Sequence, residues 1–181
     1  MMRARDVAAF AVLGAAVAAP WLAASTSVPW WLGAMTVVLG LGLVVSSAID
    51  LQTRRLPDAL TLPLIVIGLV LPTLIDSGAL VWHVAGAIMG FVLLWGVGRL
   101  YAVYRGRPGL GLGDAKLLAA AGAWLGPAGL PSVLLLATFG ALAGVGLARW
   151  RGANITGETA IPFGPFLALG FWVVWLYGPL A

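Results

Sequence analysis

Two of the six acidic residues in this chain stand where a carboxylate is costly. Asp50 closes the apolar run TVVLGLGLVVSSAID, and Asp114 stands between the glycines of PGLGLGD and the apolar stretch AKLLAAAG. An ionisable group at the edge of an apolar slab needs a partner or a task. Two carboxyl groups brought together can hydrolyse an amide. One, as carboxylate, takes a proton from a water that attacks the carbonyl carbon. The other, as carboxylic acid, protonates or hydrogen-bonds the carbonyl oxygen. Close like charges do not both ionise cheaply, so one proton belongs to the pair. Asp114 opens a helix and Asp50 ends one. The helix dipole, worth about 0.3–1 kcal/mol, therefore favours Asp114 as the anion and Asp50 as the proton holder. Gly109, Gly111 and Gly113 carry no Cβ, so an extended substrate backbone can approach them closely. The plain alternative is a flexible glycine loop with Asp114 as a helix N-cap.

The elements that must position these residues follow from composition. Of the 181 residues, 62% are hydrophobic and 9% charged, with a mean hydropathy of +1.06. A soluble domain of this length needs far more charge on its surface. The apolar residues fall in runs at 7–24, 28–49, 59–75, 79–104, 115–129, 130–149 and 162–180. They predict an all-α polytopic membrane helical bundle of about seven transmembrane segments, as a single membrane-embedded domain over 1–181. No polar stretch is long enough to build a separate soluble domain. The N-terminal MMRARDVAAFAVLGAAVAAPWLAAS fits a signal peptide or a first membrane helix. The apolar character of everything after it favours the helix. The fifth segment is the weakest, too short for a typical span of about 20 residues, and reads as short, tilted or re-entrant among its neighbours.

Charge gives an orientation. The ten Lys and Arg residues form four clusters: Arg3 and Arg5; Arg54 and Arg55; Arg99, Arg105, Arg107 and Lys116; Arg149 and Arg151. With seven crossings and a cytoplasmic N-terminus, all four clusters fall on the cytoplasmic side. The opposite loops STS, DSG and GPAG carry no positive charge, which satisfies the positive-inside rule. Segments three and four then leave the cytoplasmic face and return to it, so Asp50 and Asp114 become neighbours on one face. The net charge of +4 does not indicate nucleic acid, because the basic residues sit in short loops. The chain has no cysteine, which excludes disulfides, thiol catalysis and cysteine metal sites. No metal and no cofactor is expected.

At this point the residues resemble a known family. GLGDAKLLAAAGAWLG resembles the glycine-any-glycine-aspartate (GxGD) signature of the type IV prepilin peptidases, followed by their usual Lys-Leu. AIDLQTRRLPDALTLPLIVIGLVL is similar to their other motif, an aspartate followed by a basic stretch, then Leu-Pro-Asp and a Leu-Thr-Leu-Pro helix start. IPFGPFLALG, at 161–170, is similar to their C-terminal Pro-Phe-Gly-Pro stretch. The three motifs stand in the family's order within 45–170. The resemblance implies a membrane aspartyl protease of the bacterial inner (cytoplasmic) membrane, with its active site facing the cytoplasm. Such enzymes cut the basic leader from prepilins and pseudopilins of type IV pili and type II secretion systems at the cytoplasmic membrane border. Carried over by position, the catalytic pair is Asp50 and Asp114. The expected partners are prepilin or pseudopilin substrates and the lipid bilayer, with no nucleic acid. Long family members also carry a cysteine-rich domain and N-methylate the new terminus. A cysteine-free chain reads as a short form that cleaves without methylation and without zinc.

Around the pair, Gly111, Gly113, Lys116, Asp58, Pro162, Phe163, Gly164 and Pro165 are candidates for substrate binding or support. Asp58 reads as the N-cap of segment three. Lys116 either stabilises an anionic carboxylate, contacts an acidic substrate residue or snorkels to the interface. Pro162 to Pro165 read as a rigid start to the last helix, packed beside the site. Arg54 and Arg55 read as positive-inside anchors, and Glu158 is a candidate contact for a basic leader. Asp6 and Asp76 read as solvated charges. His83 reads as an interfacial or packed residue far from the aspartates. Trp30, Trp31, Trp82, Trp172 and Trp175 suit interfacial belts and lipid packing. The rival readings are a small proton-coupled transporter, which would need carboxylates near the midplane and inverted repeats, and an inactive scaffold.

Overall fold

A computed structural model describes residues 8, 11–16, 18–19, 29–106, 110–153 and 162–180. All regular structure among them is helical. Helical residues at 8, 11–16, 18 and 19 precede six α-helices: α1 (Trp30–Thr53), α2 (Asp58–Ile75), α3 (Leu80–Arg105), α4 (Leu112–Leu125), α5 (Leu130–Trp150) and α6 (Gly164–Tyr177). The punctuation is local. Pro29 and Pro57 stand at the N-caps of α1 and α2. Gly106 ends α3 in the left-handed region at φ 67°, where glycine carries no steric penalty. Three stretches, Trp30–Thr53, Leu80–Arg105 and Pro127–Trp150, are long and apolar enough to cross a membrane, and α2 and α6 are shorter apolar helices. The seven expected segments thus correspond to the helical residues before Pro29 and to α1–α6. Two boundaries differ with consequence. α1 runs one turn past Ile49, so Asp50 is inside it, and α4 starts at Leu112, so Asp114 is inside that helix too.

Side-chain contacts give the register. Gly90 abuts Leu118, and Gly98 abuts Leu110, so α3 and α4 are antiparallel neighbours. Asp58 meets Lys116 and Gly68 meets Trp124, so α2 and α4 run parallel. Gly40 meets Trp172 and Gly164 meets Asp50, so α1 and α6 are antiparallel. The result is an up-and-down bundle. One end carries Asp50, Asp58, Asp114 and Gly164; the other carries Trp30, Asp76 and Gly126. Among the described residues, every Lys and Arg belongs to the first end.

α4 is the centre. It packs against α2, α3, α5 and α6, and Asp114, Ala115 and every residue from Leu117 to Trp124 are buried. Its 14 residues rise only about 21 Å, short of a hydrocarbon core of about 30 Å. An enclosed helix need not match that thickness, because its neighbours rather than lipid satisfy its surface. Alanine and glycine let those neighbours close in: a Cβ at Gly86 would meet the Gly122 carbonyl oxygen and lie 2.8 Å from the Gly126 carbonyl carbon. The outer helices are built the other way round, with Val37, Leu41, Val66, Ile88, Phe139 and Leu142 all exposed. Such a surface is stable against lipid and not against water.

The tryptophans divide. Trp30 and Trp82 are exposed, as a belt requires. Trp172 and Trp175 are not belt residues. Trp172 Nε1 donates to the Gly14 carbonyl at 3.0 Å, and Trp175 Nε1 donates to Thr36 Oγ1 at 3.1 Å. Trp124 Nε1 donates to the Leu64 carbonyl at 2.8 Å, and the Trp124 and Trp175 rings meet edge to face at 5.1 Å. These indoles join α1, α2, α4 and α6, since a buried N–H in an apolar bundle needs a partner. His83 likewise donates from Nδ1 to the Ala123 carbonyl at 2.8 Å, at the end of α4 away from the aspartates.

The backbone approach at Gly86 yields a stability prediction. Gly86→Ala should cost about 1–3 kcal/mol by overpacking against main chain that cannot yield. Gly96→Ala, with nothing within 4 Å of the new methyl, should be neutral or stabilising by up to about 1 kcal/mol through helix propensity. Thermal unfolding of the two variants in the same detergent compares them directly.

Candidate active site

The last turns of α1 are polar on one buried face, with Ser46, Ser47 and Asp50 all inside. α1 then ends abruptly. Arg54 adopts the left-handed region (φ 54°, ψ 31°), and its N–H donates to the Asp50 carbonyl at 2.8 Å. It is the non-glycine residue with positive φ among the described residues, a conformation that costs energy and clusters at functional sites. The turn sends Arg54 and Arg55 outward and folds Leu56 back inside.

Asp114 is not an N-cap. Gly111 is the cap, in extended conformation, and Asp114 is the third residue of α4. The Asp114 N–H donates to the Gly111 carbonyl at 3.2 Å, and the Asp114 carboxylate accepts in return from the Gly111 backbone N–H. The second bond is the N3-to-N-cap half of a capping box; the glycine has no side chain to supply the other half. The helix register places Asp114 across from buried Leu94 of α3, roughly 16 Å of helix rise short of Arg105. α3 therefore projects past the start of α4.

Asp50 is 5% exposed and Asp114 9%. Both open on one cleft of about 250 Å3, shared with Arg54, Leu56, Gly111 and Lys116. They are close enough for the charge on one to act on the other. Asp50 has a second neighbour in Gly164, the first residue of α6. The Gly164 backbone amide faces the Asp50 carboxylate, and a Cβ at Gly164 would lie 2.6 Å from Asp50 Oδ2. Asp50 thus ends α1 but also faces the N-terminus of α6. The helix-dipole asymmetry expected from sequence is correspondingly reduced, because each carboxylate now sees a helix N-terminal amide. Asp50 Oδ2 has no hydrogen-bond partner among the described residues, and a buried acceptor left free is available to a proton or a water. Beside Asp50, an apolar groove of about 290 Å3 runs along α1 and α6 to Ser47, Leu51 and Pro165.

The supporting residues sort differently from expectation. Gly111 and Gly113 precede Asp114; the space beside Gly113 is filled by Leu56, whereas that beside Gly111 is open. Phe163 is the N-cap of α6, Gly164 and Pro165 are its buried first residues, and Pro162 is half-buried just before it. Asp58 is not the N-cap of α2. Pro57 holds that position without a side-chain hydrogen bond, and Asp58 is the first helical residue. Its carboxylate is free for Lys116 because Pro57 already occupies the capping position. The Lys116 ammonium lies 2.5 Å from Asp58 Oδ1, so Lys116 neither engages Asp114 nor simply snorkels. Glu158, Asp6, Arg3, Arg5, Arg107 and Gly109 lie outside the described residues. Leu56 is the site residue that sequence reasoning missed. It was visible as a lone apolar side chain within TRRLPD. Among the described residues no group of three His, Cys, Asp or Glu side chains could hold a metal ion.

Residues 37–147 match the model of the type IV leader peptidase family. A prepilin leader peptidase/N-methyltransferase of Burkholderia pseudomallei is 49% identical over 141 residues, covering 76% of this chain and 45% of the relative. Proteins of the same name from Aeromonas hydrophila and Pseudomonas aeruginosa are 42% and 41% identical, covering 86% and 82% of this chain and 53% and 51% of those relatives. The chain spans about half the length of the curated relatives it matches. No solved structure gives a significant match.

The Lys116–Asp58 pair is partly solvated, with side chains 25% and 58% exposed, and such pairs contribute about 0–1 kcal/mol. Lys116→Ala and Asp58→Asn should each shift stability by no more than about 1 kcal/mol. High salt should remove the difference from the unsubstituted protein in a thermal melt.

Proposed function

We propose, from the premise that this chain belongs to the type IV leader peptidase family, that it is an aspartyl endopeptidase of the bacterial inner membrane. It removes the basic leader of a prepilin or pseudopilin, and the motifs within 45–170 act as one membrane-embedded peptidase unit. The observation that carries the reading is that two buried carboxylates, on helices far apart in sequence, open on a single cleft. One member of the pair, as carboxylate, takes a proton from a water whose oxygen attacks the scissile carbonyl carbon. The other, as carboxylic acid, protonates the carbonyl oxygen. When the tetrahedral intermediate collapses, the second recovers its proton from a hydroxyl, the first delivers its proton to the leaving nitrogen, and the C–N bond breaks. The pair returns to its starting state with one proton between its members.

Four features support the details. The end of the bundle that carries the pair also carries the described Lys and Arg residues, which by the positive-inside rule face the cytoplasm. A basic leader stays in water at that end, where Asp58 masks the Lys116 charge that would repel it. The apolar groove that ends beside Asp50 suits the apolar segment following such a leader. Gly111, whose missing side chain faces open space beside the Asp114 carboxylate, leaves room for its extended backbone. A proton-coupled transporter would need its carboxylates near the middle of the bundle, and these are grouped at one end.

Asp50→Ala and Asp114→Ala should each lower prepilin-peptide cleavage by about 100-fold or more while leaving the fold intact. A chelator should leave the unsubstituted rate unchanged. Mass spectrometry of the peptide products reads both, and full cleavage by either alanine variant would remove that residue from the mechanism.

A further inference from the structure

We infer that Leu56 is a positioning residue that sets the separation of Asp50 and Asp114. It is the residue of the α1–α2 connection that turns inward: Thr53, Arg54 and Arg55 are exposed, whereas Leu56 is 8% exposed and belongs to the hydrophobic core. Its Cβ and main chain seat against one glycine and its Cδ1 reaches a second. A Cβ at Gly113 would lie 2.6 Å from Leu56 Cβ and 3.2 Å from its backbone nitrogen. A Cβ at Gly164 would lie 3.3 Å from Leu56 Cδ1 and 2.6 Å from Asp50 Oδ2. Gly113 immediately precedes Asp114, and Gly164 touches Asp50. One leucine therefore wedges between the first turn of α4 and the first turn of α6, with the end of α1 held against both. At Gly113 a side chain is excluded by the Leu56 Cβ and main chain, and at Gly164 by the Asp50 carboxylate with Leu56 Cδ1 behind it. The contact is main-chain against a branched side chain, and interiors packed this closely transmit displacement rather than absorb it. Shortening Leu56 keeps the Gly113 contact but empties the space its Cδ1 fills against Gly164, so the start of α6 and the Asp50 side chain beside it shift relative to Asp114.

The effect on cleavage rests on the function proposed above; the effect on geometry does not, and the two are measured separately. The chain has no cysteine, so an Asp50→Cys/Asp114→Cys variant carries a single reporting pair. A short bifunctional thiol reagent applied in native membranes should cross-link that pair readily. Adding Leu56→Ala should change the cross-linking rate by roughly tenfold, as expected for reacting groups sensitive to ångström displacements, and Leu56→Met should restore it. Leu56→Val makes the same comparison with less lost volume if the alanine variant aggregates. An unchanged rate in the shortened variants overturns the inference. In the chain that retains both aspartates, Leu56→Ala should lower kcat for a prepilin peptide by about 10- to 100-fold with KM changed less than about twofold, and Leu56→Met should recover kcat. Loss expressed wholly in KM, with kcat intact, would make Leu56 a substrate contact and overturn the positioning role. Absence of any cleavage by the unsubstituted protein would instead overturn the proposed function, and the cross-linking rates would still decide Leu56.

Discussion

The enclosure of α4 is the constraint on which the rest depends. In an apolar medium each backbone polar group must be satisfied within the protein, and water cannot drive one apolar helix onto another. Close association then relies on backbones that can touch. The seam of Gly86, Gly90 and Gly122 provides that contact between α3 and α4 and holds their register. That register sets the first turn of α4 short of the end of α3, with Asp114 buried in it. A helix with a lipid face would have had to lengthen to meet the bilayer, and its first turn would have lain at the interface.

Once α4 is fixed, the site is assembled from helix termini. The end of α1, the start of α2, the start of α4 and the start of α6 meet at one end of the bundle. Helix termini are the places where main-chain amides are unsatisfied, and here two of them are spent on carboxylates: Gly111 faces Asp114 and Gly164 faces Asp50. This supplies polar partners to two acids that the apolar surroundings would otherwise exclude. The strained turn at Arg54 and the inward Leu56 complete the arrangement, one by ending α1 where Asp50 can face α6 and the other by filling the space between the glycines. The opposite end is held by indole and imidazole donors to carbonyl and hydroxyl oxygens across helices. The bundle is thus tied at the far end and open to chemistry at the near one.

The helical class, the membrane setting and the identity of the two unusual aspartates were legible in the sequence. They depend on quantities summed or counted along the chain: the length of apolar runs, the placement of charge, and an ionisable residue at the margin of such a run. The partners of individual side chains were not legible. Asp58 looked like a cap and is an ion-pair partner, because Pro57 took the capping position and Lys116 came within reach only through the parallel packing of α2 on α4. Trp172 and Trp175 looked like belt residues, because an indole suits an interface as well as an interior. Only the facing helices decide which it meets. The helix-dipole difference between Asp50 and Asp114 held for each helix alone and shrank when the start of α6 was laid against Asp50. By itself the sequence determined which segments must be helices in an apolar medium and which end of each carries charge, since both follow from transfer free energies that add residue by residue. The tertiary structure alone decided that α4 lies inside, that Gly164 touches Asp50 and that Leu56 sits between the two glycines. Those facts depend on the shape left between helices distant in the chain, and shape is not additive along it.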